Sequence, residues 1–447
     1  MINFFIETFV LNKNKDCIIF DDKHYKYSEI LEAIEFADSK LNELNTKTGE
    51  VISIEGDFNP ISIGFLFAAI KRNLIIVPLT ESVKSKKNEF KTIAQVNYEI
   101  IISNDGNLTS ISKLNTTVSN ELLLTTAAAK KPGLVLFSSG STGNSKAALH
   151  DLIPFLEKFK LKRHSRRAIS FLLFDHIGGL NTLLYTLSNG GTLITVSERT
   201  PFAVLKAIQN NKVEVLPTSP TFLNLLILSE LHNKFDLSSL KLITYGTEMM
   251  PSATLTKLRE LLPEIELLQT YGLSEVGILR SKSESSDSLW VKIGGDGFET
   301  RVVNNMLEIK ANSAMLGYLN APSPFTPDGW FITNDLVEVK GEYFKFLGRK
   351  SDIINIGGEK VYPAEVESEI LKKEGVIDVI VTAEKNALVG NIIVATVKIS
   401  ESLNENEFRV ELKKFLLSNM QSYKVPQKII FTKSVLHTDR FKRSRNF

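Results

Sequence analysis

Between Ser138 and Lys146 the chain reads Ser-Ser-Gly-Ser-Thr-Gly-Asn-Ser-Lys, entered from the apolar run Leu134-Val135-Leu136-Phe137. Glycine turns with positive φ and brings the backbone close to a ligand. Backbone N–H groups and hydroxyls then line a concave anion site. Lys146 adds a point charge. The residue types and their order point to a loop that holds phosphate. The stretch is not a Walker P-loop, because Gly140 and Gly143 stand too close together and alanine follows Lys146. Nor is it a G-x-G-x-x-G dinucleotide turn. Read alone, the string also suits a flexible Ser/Gly surface loop.

A second string, Gln269-Thr270-Tyr271-Gly272-Leu273-Ser274-Glu275, and a third, Asp328-Gly329-Trp330-Phe331-Ile332-Thr333-Asn334-Asp335, follow it in order. Gly348-Arg349 comes next, then Ile356-Gly357-Gly358-Glu359-Lys360-Val361-Tyr362-Pro363-Ala364-Glu365-Val366-Glu367. Thr438-Asp439-Arg440-Phe441-Lys442-Arg443-Ser444-Arg445 closes the chain. This series resembles the adenylate-forming superfamily, which includes acyl-CoA synthetases, amino-acid adenylation domains and luciferases. The family writes S-G-S-T-G-x-x-K, Y-G-x-[ST]-E, G-W-x-x-T-G-D, G-G-E-x-V-Y-P-x-E-V-E and T-x-x-G-K-[IV]-x-R. The resemblance runs from about Ile19 to Arg445.

The resemblance implies a role for each motif. Ser138, Ser139, Gly140, Ser141, Thr142, Gly143 and Lys146 would hold the ATP phosphates. Tyr271 would offer a flat face to adenine, with Thr270 and Ser274 beside the nucleotide, and Gly272 would let the backbone approach the acyl phosphate. Glu275, a hard oxygen donor, would hold Mg²⁺ together with Thr142. Asp335 would accept both ribose hydroxyls, and Arg349 would reach the same sugar. Gly246, Thr247 and Glu248 resemble the family's adenine-side G-[GAT]-E segment, and Tyr245 would face the acid. Gly357, Gly358 and Lys360 lie in the loop that lines the pantetheine tunnel of acyl-CoA synthetases. Lys442 would neutralise charge as a carboxylate attacks the α-phosphorus.

The chain departs from the pattern at three places. Asn334 replaces a glycine, and asparagine also accepts a left-handed turn. Phe441 replaces the glycine before Lys442. Ser351 stands where the family has Asp or Lys, with Asp352 next to it. The acid pocket admits two alignments at Phe174-Asp175-His176-Ile177-Gly178-Gly179. In one, His176 matches the histidine of acyl- and aryl-CoA ligases, and Gly178 and Gly179 form a pocket wall. In the other, Asp175 matches the aspartate that pairs with an amino-acid ammonium. Phe222, Leu223 and Leu226, at helical spacing, read as core.

The reaction implied is a two-step ligation. A carboxylic acid and ATP give acyl-AMP and pyrophosphate, and a thiol then displaces AMP. CoA is the expected thiol, and a separate carrier protein bearing phosphopantetheine is the alternative. A catalytically silent nucleotide sensor is a third reading, supported by Phe441 and Asn334. Homodimers are common among such proteins.

The elements that position these residues alternate. Val51–Ile54, Leu74–Pro78, Thr192–Val196 and Val213–Leu216 read as strands, and Ser62–Lys71, Pro201–Asn210 and Phe222–Leu231 as helices. The alternation predicts an α/β fold through about residue 345, with a large layered N-terminal domain over 1–348. A small mobile α+β domain over 349–447 is expected after it, with helices Pro363–Lys372 and Glu405–Ser418 and strands Val376–Val381 and Ile392–Ile399. A length of 447 residues fits more than one core. A net charge of +2 gives no hint of a nucleic-acid partner. One cysteine, Cys17, excludes an intrachain disulfide framework and a Cys-rich zinc site. The start lacks the marks of a signal peptide. Lys71 and Arg72 split the apolar run Ile61–Leu79, so no integral membrane segment and a cytoplasmic setting are expected.

Overall fold

The computed structural model describes residues 2–139, 145–356, 358–386 and 390–438. Two seven-stranded sheets form its larger part. The first runs Glu266–Gln269, Leu242–Tyr245, Val215–Thr218, Arg167–Ile169, Thr192–Ile194, Asp16–Phe20 and Lys23–Lys26, parallel except for the last pair. The second runs Gly317–Tyr318, Ser145–Asp151, Gly133–Ser139, Ile75–Leu79, Val51–Glu55, Tyr98–Ile102 and Leu108–Lys113, with a parallel centre and antiparallel edges.

One apolar cluster joins the sheets. Ile18 and Leu193 of the first meet Ile52, Ile76 and Leu134 of the second through Phe65 and Phe67 of one helix and Leu183 and Leu184 of another. The helix Pro60–Lys71 is buried over almost its whole surface, which suits an element covered on both sides. Asn59 caps it with a 2.8 Å bond from the Ser62 N–H, and proline takes its first position. Its 12 residues span about 18 Å, too short for a bilayer. Among the described residues no helix is long and apolar enough to cross a membrane.

The alternation expected up to residue 345 stops earlier. Residues from Arg280 to Arg349 build an antiparallel six-stranded sheet ordered Arg280–Ser283, Val291–Gly294, Tyr343–Arg349, Phe331–Lys340, Met306–Ala311 and Phe298–Val303. Its turns use left-handed residues, among them Gly295, Gly297, Asn304 and Asn305. Other differences are at element ends. Lys212 ends one helix at φ 49°, so the next strand begins at Val215, not Val213. Ser219 caps the following helix, which starts at Pro220 and ends at Ser229 because Glu230 turns left-handed.

After Arg349 the chain makes a separate three-stranded sheet of Val376–Asn386, Gly390–Ile399 and Lys428–Phe431, covered by the helices Pro363–Ile370 and Glu405–Asn419. It has its own apolar cluster, which Ala253 of the larger part enters. Ser252 N–H donates to Ser368 Oγ at 3.1 Å, and Asn224 Nδ2 donates to the Ile377 carbonyl at 2.9 Å. Glu365 lies in the first turn of its helix behind Pro363 and pairs with Lys424 at 2.6 Å.

Candidate active site

The residues on either side of 140–144 lie on paired antiparallel strands. Gly133–Ser139 pairs with Ser145–Asp151, with Ser138 opposite Lys146 and Ser139 opposite Ser145. Gly140, Ser141, Thr142 and Gly143 lie outside the described residues, as do Gly357, Lys442 and the side chain of Ser139. The second strand is pinned from two sides. Asn320 donates to the Ser145 carbonyl at 2.8 Å and accepts from Ala147 N–H at 3.0 Å. Lys86 Nζ donates to Ser145 Oγ at 3.3 Å.

The short strand Gly317–Tyr318 pairs with the outer edge of this strand pair, Tyr318 opposite Ala148. That register sets the Tyr318 ring beside Lys146, whose Nζ lies 5.2 Å from the ring centroid. The Tyr318 hydroxyl donates to Glu275 Oε1 at 2.7 Å. One tyrosine therefore joins the loop's lysine to the carboxylate of the second motif, across 43 residues of sequence. The Glu275 backbone is braced as well. Its carbonyl accepts from Met315 N–H at 2.7 Å. The fully buried His150 places Nε2 at 2.6 Å from the Ser274 carbonyl and Nδ1 at 3.3 Å from the Ser313 carbonyl. Burial holds the His150 pKa below that of an ordinary imidazole. We expect Tyr318→Phe to keep the ring beside Lys146 and free the Glu275 carboxylate. Such a change removes one hydrogen bond to a charged group, about 1.5–3 kcal/mol, read as a higher Mg²⁺ requirement in a turnover assay.

Asp335 and Arg349 stand opposite each other on paired strands, with Arg349 Nε 3.4 Å from Asp335 Oδ1. Asn334 has φ 62°, the left-handed turn expected of a residue that replaces glycine. The Tyr271 hydroxyl donates to Asp335 Oδ2 at 2.6 Å, and its ring stacks on Phe346 at 4.4 Å and 17°. One face of Tyr271 is thus already covered. Burial raises the pKa of Asp335, while Arg349 and the Tyr271 hydroxyl pull it down. Burial and the neighbouring carboxylate push the Tyr271 phenol well above its usual range.

The segment Gly246-Thr247-Glu248 follows the parallel strand Leu242–Tyr245. A Cβ on Gly246 would stand 2.7 Å from Thr270 Oγ1, so glycine lets the two strand ends meet. Thr247 has φ 70°, a strained conformation for a β-branched residue. Glu248 accepts the Thr221 N–H at 2.7 Å at the start of the helix Pro220–Ser229, a structural use that the motif alone does not reveal.

The structure moves several readings from ligand contact to packing. Tyr245 is 1% exposed and belongs to the same apolar cluster as Phe222, Leu223 and Leu226, and among the described residues its hydroxyl has no hydrogen-bond partner. A Cβ on Gly179 would stand 1.9 Å from the Leu173 carbonyl, and one on Gly178 would stand 2.5 Å from Leu172 Cδ1. Both glycines, read as a pocket wall, let the helix Ile177–Ser188 close on the turn before it. Gly272 has the same cause, since a Cβ there would stand 2.4 Å from Ile278 Cδ1. His176 caps that helix, Nδ1 accepting the Gly178 N–H at 3.1 Å, which leaves the proton of a neutral ring on Nε2. Asp175 is 5% exposed and accepts the Thr80 hydroxyl at 2.9 Å. Gly358 (φ 96°) and Lys360 are exposed, in and beside a short hairpin beyond Arg349.

Tyr318, His150, Asn320 and Thr80 are site residues that the motifs do not contain. Each acts across more than 40 residues of chain, and no local pattern marks it.

Comparison with known proteins bears on the whole arrangement. The family model for the AMP-binding enzyme matches residues 7–305, and that for the AMP-binding enzyme C-terminal domain matches residues 365–442. The chain is 24% identical to a putative long chain fatty acid-CoA ligase of Staphylococcus epidermidis, covering 96% of this chain and 93% of that one. It is 24% identical to a 2-succinylbenzoate–CoA ligase of Listeria monocytogenes, covering 100% and 98%. The fold is similar to that of an anthranilate CoA ligase solved with anthranoyl-AMP, at a TM-score of 0.80 and 17% identity over 99% of this chain and 95% of that one. The chain belongs to the AMP-binding enzymes, the adenylate-forming superfamily, in its acyl-CoA synthetase branch.

Proposed function

We propose that this protein is an AMP-forming acid–CoA ligase. The observation that carries the reading is the meeting of Lys146 and Glu275 at Tyr318, with Asp335 and Arg349 paired on the neighbouring sheet and Tyr271 reaching Asp335. In the first step a carboxylate oxygen bonds to the α-phosphorus of ATP and the bond to pyrophosphate breaks. In the second step a CoA sulfur bonds to the acyl carbon, its proton departs, and AMP leaves with the electron pair of the broken C–O bond.

Ser138, residues 140–143 and Lys146 hold the triphosphate. Asp335 and Arg349 hold the ribose, and the segment from Gly246 to Glu248 borders the base. Holding the two reactants in line removes much of the entropic barrier. Glu275 and Thr142 would hold Mg²⁺, which neutralises phosphate charge when bound. The donor set fits that ion. Among the described residues no group of three His, Cys, Asp or Glu side chains forms a protein cage. Mg²⁺ usually takes one or two carboxylates and completes its shell with phosphate oxygens and water.

The acid enters on the His176 side. Asp175 is engaged by Thr80, which favours an acid without an ammonium group over an amino acid. CoA, not a carrier protein, is the thiol. The chain beyond Arg349 serves as the mobile domain, hinged near Ser351 and Asp352. It alternates Lys442 with the Gly357–Gly358 loop at one site. Lys442→Ala is then expected to abolish acyl-AMP formation and to spare thioester formation from supplied acyl-AMP. Equal loss of both half-reactions would contradict the alternation.

The test of the function is ATP–pyrophosphate exchange across fatty, aryl and amino acids, with and without CoA. Exchange with a fatty or aryl acid and thioester formation with free CoA are expected. Exchange with amino acids alone, or no turnover of free CoA, would overturn the reading.

A further inference from the structure

Lys158 stands behind the Glu275 hairpin, and among the described residues no carboxylate pairs with it. It opens the single 3-10 turn Lys158–Lys160 after the helix Leu152–Glu157. Its Nζ donates to Asn181 Oδ1 at 2.8 Å and to the Ile278 carbonyl at 3.0 Å. The rings of Phe159 and Phe155 flank it, with centroids 5.0 and 5.7 Å away.

Both acceptors matter by position. Ile278 pairs with Gly272, and Gly277 with Leu273, so this carbonyl fixes the far arm of the hairpin that turns through Ser274 and Glu275. Gly277 has φ 90°, and a Cβ on it would stand 3.9 Å from the Phe155 ring, so the arm rests on the same aromatic floor. Asn181 lies in the helix Ile177–Ser188, whose N-terminus His176 caps. One ammonium therefore spans the element behind the acid and the element that carries the candidate metal carboxylate.

We propose that Lys158 is a positioning residue that ties the helix Ile177–Ser188 to the Glu275 hairpin and thereby sets the Glu275 carboxylate for Mg·ATP. This rests on the assignment of Glu275 as the metal-holding group.

A purely structural account fits poorly. Among the described residues no salt bridge reaches Lys158, and burial alone brings its pKa down to about 7, with no charged neighbour contributing. Lys158 is half-buried, and a charge flanked by aromatic rings and held by neutral acceptors carries a desolvation cost that no carboxylate among the described residues offsets. A methionine would fill the space between two phenyl rings without that penalty. A chain that keeps such a lysine gains something other than stability from it.

The test compares Lys158→Met, Asn181→Leu, the double variant and Glu275→Gln in acid-dependent ATP–pyrophosphate exchange, with melting temperature and AMP affinity measured in parallel. Misplacement of a reacting group by about 1 Å lowers rates on the order of 10²-fold. Lys158→Met is expected to lower kcat toward that range and to raise the KM for Mg·ATP and the Mg²⁺ requirement. AMP affinity should hold, and the melting temperature should fall by no more than the two unpaired acceptors account for. Asn181→Leu should move the same parameters, and the double variant should be no worse than Lys158→Met alone. A Lys158→Met protein that melts lower but keeps wild-type kinetics would overturn the proposal, as would additive effects of the two changes. Should Glu275→Gln impair Mg·ATP use while Lys158→Met does not, this inference fails and the metal assignment stands. Should Glu275→Gln leave Mg·ATP use intact, the metal assignment itself fails.

Discussion

Glu275→Gln is expected to lower acid-dependent ATP–pyrophosphate exchange by about 10²–10³-fold, the loss typical when one preorganised electrostatic contact is removed. The substitution keeps the volume and an oxygen for the Tyr318 hydroxyl, which now lies 2.7 Å from Oε1. The bonds from the His150 imidazole to the Ser274 carbonyl and from Met315 N–H to the Glu275 carbonyl do not involve the Glu275 side chain. The fold therefore loses little, and the melting temperature should move by no more than a few degrees. What disappears is the negative charge that a divalent cation requires. AMP, which binds without the metal, should keep its affinity. A parallel loss of AMP binding and melting temperature would show that Glu275 serves the fold and not the ion.

Asp335→Ala has two separable effects. The first is on the nucleotide, since two charge-assisted hydrogen bonds to the ribose would vanish. At about 1.5–3 kcal/mol each, their loss predicts at least a hundredfold weaker binding of both AMP and ATP. The second is on the fold. Asp335 is the acceptor for the Tyr271 hydroxyl at 2.6 Å, and Arg349 is its ionic neighbour. Leaving a buried hydroxyl unpaired costs about 1–3 kcal/mol. Adding Tyr271→Phe removes the orphaned group, so the double variant should recover stability without recovering nucleotide affinity. Thermal melts and titration of AMP against the two variants read the effects independently. If the double variant regained affinity, the role of Asp335 would be limited to holding Tyr271.

Several local features were legible because their causes are local. Pro201 and Pro363 each open a helix as their sequence context demands. The left-handed Asn334 was readable for the same reason. The antiparallel sheet from Arg280 to Arg349 was less so. Its strands are joined by turns with left-handed residues, and the register of Met306–Ala311 on Phe331–Lys340 shifts, so no clean alternating run announces it. At Gly178 and Gly179, a glycine needed for close packing looks the same in sequence as one needed for a ligand.

The supporting residues were hidden for a different reason. Tyr318 reaches Glu275 from 43 residues away, His150 reaches Ser274 from 124, and Lys158 reaches Ile278 from 120. Their partners are fixed by strand register and helix packing, which a linear pattern does not encode. Tyr318 is beside Lys146 only because its two-residue strand pairs with Leu149 and Ala148. Thr80 meets Asp175 only because a strand of the second sheet ends near the turn that precedes the helix Ile177–Ser188. The motifs name the groups that would touch substrate, and the fold supplies the groups that aim them.

Calorimetric titration of intact protein with Mg·ATP and with AMP tests the central claim most directly. The account predicts one site for each ligand, Mg·ATP binding weakened by Glu275→Gln with AMP binding retained, and both weakened by Asp335→Ala. Heats indistinguishable from dilution for both nucleotides would contradict it.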